Sequence, residues 1–494
     1  MELEQLLKKY FGYNSFKPGQ KEVITSILEG NHTLAMLPTG TGKSLCYQLP
    51  GYIFEGAVII VSPLLSLMQD QVEQMMSFGE KRVIAINSFL TYDEKKNVLH
   101  NIKKYKYIFL SPEMLHVANL LRILKTINIS LFVIDEAHCI SQWGYDFRPE
   151  YLKLGEIRKS LGNPLTLGLT ATATNQVRED IISSLGLVNV KKIVSSVDRP
   201  NIALYLKQFA DLQEKQSKLI ELVNNLQPPG IIYFSSKKAA EKTAILLKEN
   251  GMKNIMAYHG GLDQEQRVLI QQQFIQGQLD VICATSAFGM GVNKDNIRFI
   301  IHYHMPLQME SYLQEIGRAG RDGNPSIAVL LHCPGDEQLP LLLIEREMPT
   351  EQQIDWLFNQ IKQNGNSMKL DENIMSLGGF TDTQWRIVKE FAGNLNEQAD
   401  DLERIKENIK DYVFKRNKIK LDNLFRVKKW MECNDCRRDF ILHYFEEQTN
   451  QDFVENCCDH CGVELSTYKK NGSRNSSEMS KENWIDYLAK ILLV

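Results

Sequence analysis

Residues 32–44 read His32-Thr33-Leu34-Ala35-Met36-Leu37-Pro38-Thr39-Gly40-Thr41-Gly42-Lys43-Ser44, and this run decides the architecture. Its first half, His32–Leu37, is short and apolar without polar alternation, as expected of a strand covered on both faces. Its second half, Leu37–Ser44, is a glycine-rich loop lying between that strand and an apolar helix. Such a loop aims several backbone N–H groups at one point beside a helix N-terminus, which makes a cradle for phosphates. Thr39, Gly40, Thr41 and Gly42 form the cradle. Lys43 is placed to reach β/γ oxygens and the Ser44 hydroxyl to meet Mg²⁺. Leu37 stands where the motif usually opens with glycine.

Downstream, the apolar run Leu131–Ile134 ends in Asp135-Glu136-Ala137-His138. A buried strand that delivers two carboxylates at its C-terminal end puts them on the ligand edge of a parallel sheet. Asp135 is the second expected Mg²⁺ contact, and Glu136 the group that orients or deprotonates a water. Ala57–Ser62, Tyr107–Ser111 and Leu165–Leu169 are further strands, with amphipathic stretches such as Leu64–Gly79 between them. Alternation of this kind implies a doubly wound sheet. After the irregular Ser195–Asn201 stretch a second series follows: Gly230–Phe234, Asn254–Tyr258, Asp280–Ala284, Phe299–Tyr303 and Ile327–His332. Two tandem sheets form a cleft suited to a ligand.

The chain has 494 residues, enough for about three domains. With 43% hydrophobic and 24% charged residues it is an ordinary globular sequence, and a largely disordered chain is excluded. The formal charge of −3 excludes coating of nucleic acid by bulk charge but not a local basic groove. Residues 401–440 hold such a local excess of Lys and Arg. The start is acidic and lacks a signal peptide, and no apolar run approaches the ~20 residues of a membrane span, so a soluble, cytoplasmic protein is expected. Of nine cysteines, five (Cys433, Cys436, Cys457, Cys458, Cys461) cluster near the end, which suggests a metal before disulfides.

Given these residues, the first 340 or so positions resemble the RecQ family of superfamily-2 DNA helicases, and the resemblance runs on into the cysteine cluster. Phe11–Gln20 is similar to the family's base-recognition motif. The resemblance implies that Tyr13 stacks on adenine and Gln20 pairs with its polar edge, with Lys17 where the family usually has Arg. Val61-Ser62-Pro63 and Leu110-Ser111-Pro112 resemble motifs that grip the DNA backbone. Leu169–Thr174 resembles the motif that couples phosphate state to domain movement. Cys139–Pro149 resembles the aromatic-rich loop, from which Trp143, Phe147 and Arg148 are expected to contact unpaired bases, with Tyr145 in place of a family His. Tyr258-His259-Gly260-Gly261 and Ala284–Asn293 match later motifs, and His259 is a further DNA candidate. Gln314-Glu315-Ile316-Gly317-Arg318-Ala319-Gly320-Arg321 resembles the arginine motif: Gln314, Arg318 and Arg321 are assigned to catalysis, with Arg321 as arginine finger and both arginines on one helical turn.

Cys433-x-x-Cys436 and Cys458-x-x-Cys461 form a paired pattern that suits a closed, four-thiolate Zn²⁺ site. Cys433 is taken as the ligand that replaces the family's usual one, and Cys457 is the alternative, since adjacent cysteines rarely point at one metal. The fold class is therefore α/β: two tandem RecA-like parallel-sheet domains, 1–205 and 206–340, then a mostly helical zinc-binding domain, 341–464, then a linker and C-terminal helix, 465–494. Trp484–Val494 has an apolar face at helical spacing that docks on its own protein or, alternatively, on a protein partner. The chain ends 33 residues beyond Cys461, too soon for the winged-helix domain common in the family, and weaker duplex binding is expected. The resemblance implies an ATP- and Mg²⁺-dependent DNA helicase moving 3′→5′ on single strands and tailed duplexes without sequence preference, in repair or recombination, nucleoid-associated in a bacterial cell. An RNA helicase of the DEAD/DEAH sort and a nucleotide-switched DNA-binding module with little turnover are the rivals.

Overall fold

A computed structural model describes residues 2–63, 65–87, 90–141, 148–289, 294–364, 370–392, 399–448 and 454–470. Trp143, Phe147 and the Trp484–Val494 segment singled out above lie outside the described residues. The first sheet comprises β1 (Thr33–Met36), β2 (Ala57–Val61), β3 (Val83–Ile86), β4 (Tyr107–Leu110), β5 (Ile129–Ile134), β6 (Thr166–Thr170) and β7 (Lys191–Val194). Their order is β3-β4-β2-β5-β6-β1-β7, and every pairing is parallel. Helices cover both faces, so β1, β2, β4 and β6 are buried at every position, and this is why the sequence shows continuous apolar runs.

The second sheet comprises β8 (Ile202–Gln208), β9 (Gly230–Tyr233), β10 (Ile255–Tyr258), β11 (Val281–Ala284), β12 (Phe299–His302) and β13 (Ser326–His332), in the order β10-β11-β9-β12-β13-β8. It too is parallel throughout. In a parallel sheet all strands present their C-terminal ends at one edge. The loop after β1 and the acids after β5 thus meet, with only β6 between their strands.

The third region is helical. Its longest element, Ala399–Glu432, runs 34 residues. It packs with the Glu351–Asn364 and Asp382–Ala392 helices over a core that includes Leu357, Phe358, Trp385, Val388 and Ile409. Trp430, near its end, is buried against Tyr312 of the second sheet domain, with ring centroids 4.8 Å apart. Lys153 and Glu390 form an ion pair of 2.6 Å that ties this region to the first sheet domain.

Three strands went unpredicted: β3, β7 and β8. All three are edge strands, and β7 is mostly exposed with Lys191 and Lys192 in it, so no buried apolar run marks it. Because β8 belongs to the second sheet and spans residues 202–208, the expected boundary at 205/206 cuts through a strand, and the division falls before Ile202. The expected linker from 465 also begins differently. Leu465–Tyr468 is a 3₁₀ turn whose Tyr468 is buried in the second core, and Lys470 N donates to Asn225 O at 2.8 Å. The small polar residues that follow read as a linker, but one aromatic anchor, Tyr468, docks the first of them. Among the described residues no helix is long and apolar enough to cross a membrane.

Candidate active site and metal centre

Gly40 and Gly42 adopt φ of +86° and +70°, conformations that glycine reaches without steric cost, and they bend the loop after β1 around an open centre. The Leu45–Ile53 helix starts immediately after, with Ser44 at its N-cap. The expected base-recognition residues brace this loop from outside. Lys17 Nζ donates to Gly40 O at 2.9 Å, and Gln20 Nε2 donates to Thr41 O at 2.6 Å and Gly42 O at 3.0 Å. The backbone N–H of Lys17 in turn donates to Gln20 Oε1 at 2.8 Å. Tyr13 is half exposed near this corner, at 52%, and so has a ring face available for stacking.

Asp135 and Glu136 follow β5, with Asp135 N donating to Val61 O at 2.9 Å. Glu136 takes φ +48°, in the left-handed region. Burial pushes the Asp135 carboxyl up to about 7, with neighbouring Glu136 adding to the rise and Lys43 opposing it. Glu136 is 7% exposed and its Oε2 accepts no hydrogen bond from the described residues, although His138 Nδ1 lies 3.4 Å away and is engaged by Thr170 Oγ1 at 2.9 Å. A buried carboxylate oxygen left open costs free energy unless a ligand completes it. Buried acids facing a lysine and a glycine-walled cradle fit a magnesium–nucleotide: Ser44 and Asp135 would hold the cation and Lys43 the phosphates.

The second sheet domain reaches into this cradle. The Met309–Ile316 helix carries Gln314, which is buried, and ends before the arginines. Arg318 and Arg321 therefore lie in the tight turn beyond the helix, not on one helical face as the spacing suggested, and Gly320 (φ +54°) closes that turn. Arg318 donates to Gly289 O within its own domain. Arg321 crosses the cleft: a Cβ placed on Gly40 would lie 2.7 Å from Arg321 Cγ. Burial, then the neighbouring Arg318, pulls the Arg321 guanidinium down to about 10, the mark of a cation kept from water where an anion can compensate it. Thr39 Oγ1 donates to Gly317 O at 3.1 Å across the same cleft.

The residues proposed for DNA are arranged less directly. Ser62 and Ser111, just beyond β2 and β4, are 2% and 6% exposed in this conformation, and the Ser62 hydroxyl is itself buried. Arg148 Nη1 donates to Pro63 O at 2.9 Å, which ties the end of the aromatic-rich stretch to the motif after β2. His259 is buried, with Nε2 on Glu241 Oε1 at 2.8 Å and Nδ1 accepting from Gly261 N at 3.2 Å, so both ring nitrogens are engaged within the protein.

Four thiols converge near the C-terminal end of the described chain, and they are Cys436, Cys457, Cys458 and Cys461, all within 4.8 Å of one another. A tetrahedral zinc at ~2.3 Å from each sulfur separates them by ~3.8 Å, so this donor set fits a closed Zn²⁺ site. Cys433, the ligand expected from its spacing, is outside the cluster: its Sγ meets Asp435 O at 3.7 Å and Arg437 Nη1 at 3.5 Å. The reason is local. Asn456 takes φ +54°, and Cys458 forms a parallel bridge with Leu204 at the edge of β8, which brings the adjacent Cys457 and Cys458 to one centre. Arg437 pairs with Asp459 at 3.0 Å, and Arg438 Nε donates to Cys457 Sγ at 3.4 Å.

Two parallel-sheet lobes with a phosphate cradle on one and an arginine turn from the other define a helicase-type nucleotide motor core. Residues 17–181 match the DEAD/DEAH box helicase model, 214–323 the helicase conserved C-terminal domain and 399–462 the RecQ zinc-binding domain. The chain is 46% identical over 99% of its length, and 98% of the relative's, to the Bacillus subtilis (strain 168) protein named "Probable ATP-dependent DNA helicase RecS". It is 40% identical to the ATP-dependent DNA helicase RecQ of the same organism, over 71% of this chain and 59% of that one. In fold it is similar to Mycobacterium smegmatis helicase Lhr bound to ssDNA and AMP-PNP, with TM-score 0.56 and 20% identity, covering 72% of this chain and 52% of that one. The chain belongs to the RecQ family of helicases.

Proposed function

We propose that this chain is an ATP-dependent DNA helicase that travels 3′→5′ along one strand and separates tailed duplexes in the cytoplasm, using Mg²⁺-ATP and a structural zinc. The names of its relatives support that substrate, and one observation carries the mechanism: Arg321 of the second lobe lies against Gly40 in the phosphate loop of the first. Bound Mg²⁺-ATP supplies the terminal phosphoryl and its negative charge. Lys43 and the loop N–H groups hold that charge, Glu136 orients and takes a proton from water, and Arg321 stabilises the charge that develops. Arg321 leaves the phosphates only if the lobes part, so the nucleotide state sets the cleft and moves the two lobes along the strand. Contacts are to backbone and base faces, hence independent of sequence.

Strand separation on 3′- and 5′-tailed duplexes with ATP and Mg²⁺ tests this. Unwinding of the 3′-tailed substrate only, with ATPase stimulated by DNA more than by RNA of equal length and abolished in Lys43→Ala, is the expected result. Stimulation by RNA alone would replace the reading with an RNA helicase. DNA-saturated turnover no faster than that of Lys43→Ala would leave only a binding module.

A further inference from the structure

Outside every motif used above, Arg199 donates hydrogen bonds to backbone carbonyls on both sides of the cleft. It sits in the irregular connection between β7 and β8, a stretch with no signature of its own. Its Nη1 donates to Thr39 O in the phosphate loop at 3.3 Å and to Gly317 O in the arginine turn at 3.2 Å. Its Nη2 donates to Ala319 O at 3.2 Å and Gly320 O at 2.8 Å, the residues just before Arg321. One planar guanidinium thus spans the phosphate loop and the backbone that aims the finger. Asn201 adds a second hold from the same connection, with Nδ2 donating to Gly320 O at 2.8 Å.

Arg199 is itself held from behind. Arg438 Nη1 donates to Arg199 O at 3.1 Å and pairs with Asp198, and its Nη2 donates to Ile202 O at 2.7 Å. The same side chain touches Cys457 Sγ, one of the four converging thiols. A continuous path of contacts therefore runs from the cysteine cluster through Arg438 and Arg199 to the turn that carries Arg321.

We infer that Arg199 is a positioning residue that fixes the arginine turn against the phosphate loop, and that Arg438 anchors it to the zinc knuckle. The inference rests on the nucleotide-hydrolysis reading above and adds a residue to it. Misplacing a catalytic group by about 1 Å can cost 10²-fold in rate without weakening substrate binding in proportion. Lysine carries its donors on one nitrogen and cannot span the four carbonyls that the two terminal nitrogens of the guanidinium reach.

The test is a double-mutant cycle of Arg199→Ala and Arg321→Ala in the full chain, with zinc content and thermal melting as controls. DNA-saturated kcat should fall roughly 10²-fold in Arg199→Ala, while equilibrium binding of a fluorescent ATP analogue changes less than about threefold. Arg199→Lys should restore little of the loss. If Arg199 acts through Arg321, the double variant should be no slower than Arg321→Ala alone. Arg438→Gln should reproduce part of the kcat defect with nucleotide binding intact. Multiplicative losses in the cycle, or an Arg199→Ala defect that lies wholly in nucleotide binding, overturn the inference. A wild-type chain that hydrolyses no ATP would instead overturn the reading beneath it. Should Arg199→Ala melt markedly earlier, Arg199→Lys takes its place in the cycle with the same criteria.

Discussion

Cys457 and Cys433 show how a single backbone conformation decides a ligand set. Spacing alone favours Cys433, three residues before Cys436, because neighbouring side chains in extended chain point to opposite sides. The positive φ of Asn456 and the pairing of Cys458 with Leu204 undo that rule at one place, and nothing in the spacing announces it. Asn directly before a Cys-Cys pair, tolerant of the left-handed region, is the faint sign that was available. Cys457→Ser should lose most bound zinc, whereas Cys433→Ser should keep about one per chain, as in other closed four-thiolate sites. A chromogenic chelator assay on denatured, desalted protein measures this. Retained zinc in Cys457→Ser together with loss in Cys433→Ser would return the site to the spacing-based set. The placement of Asp135, Glu136 and Lys43, by contrast, was legible, because the apolar runs disclose the strands they follow.

At the scale of elements, the strand–loop–helix order around Gly40 was legible from thirteen residues because its strand, glycines and helix start are all local. What sequence could not show is the occupant of the space over Gly40. With φ +86° and Arg321 Cγ 2.7 Å from the position of a Cβ, Gly40 is required twice, once for conformation and once for the approach of the other lobe. Gly40→Ala carries the ~1–2 kcal/mol cost of a left-handed non-glycine residue and also pushes Arg321 aside. DNA-stimulated turnover should therefore fall ~10²-fold, the scale of a misplaced catalytic group. The melting temperature should shift by only a few degrees, since the loss is confined to one loop. Steady-state ATPase with parallel calorimetry checks both, and unchanged turnover would place Arg321 elsewhere during hydrolysis. The helix before the arginines does not extend through the helical turn expected for them, for a related reason. It stops at Ile316, and the turn that follows is shaped by contacts from Arg199 and Asn201, far away in sequence.

The whole molecule is two lobes and a helical clamp, and the relation between lobes is the property least visible in sequence, because its contacts join residues hundreds of positions apart. One such contact is expected to respond to pH. Asp70, on the Leu65–Ser77 helix of the first lobe, accepts a hydrogen bond from Gln271 on the Gln264–Ile275 helix of the second. Burial, with Glu73 of its own helix as the nearby like charge, pushes its carboxyl up to about 6 from an ordinary 3.8. Tyr258 faces it from the second lobe, and Arg267 faces Tyr258. Because Asp70 holds its proton more tightly when covered, protonation favours the closed contact. That contribution is absent well above pH 6, grows as pH falls through about 6 and is complete near pH 3.8. Solvent reaches part of the group, so the effect is a shift in population and not a switch. Nucleotide-free wild-type protein should be measurably more compact by small-angle scattering at pH 5 than at pH 7.5. Asp70→Asn, which keeps an acceptor for Gln271 without the charge, should be as compact at pH 7.5 as at pH 5. Equal pH dependence in the two proteins would show that Asp70 does not govern how the lobes meet.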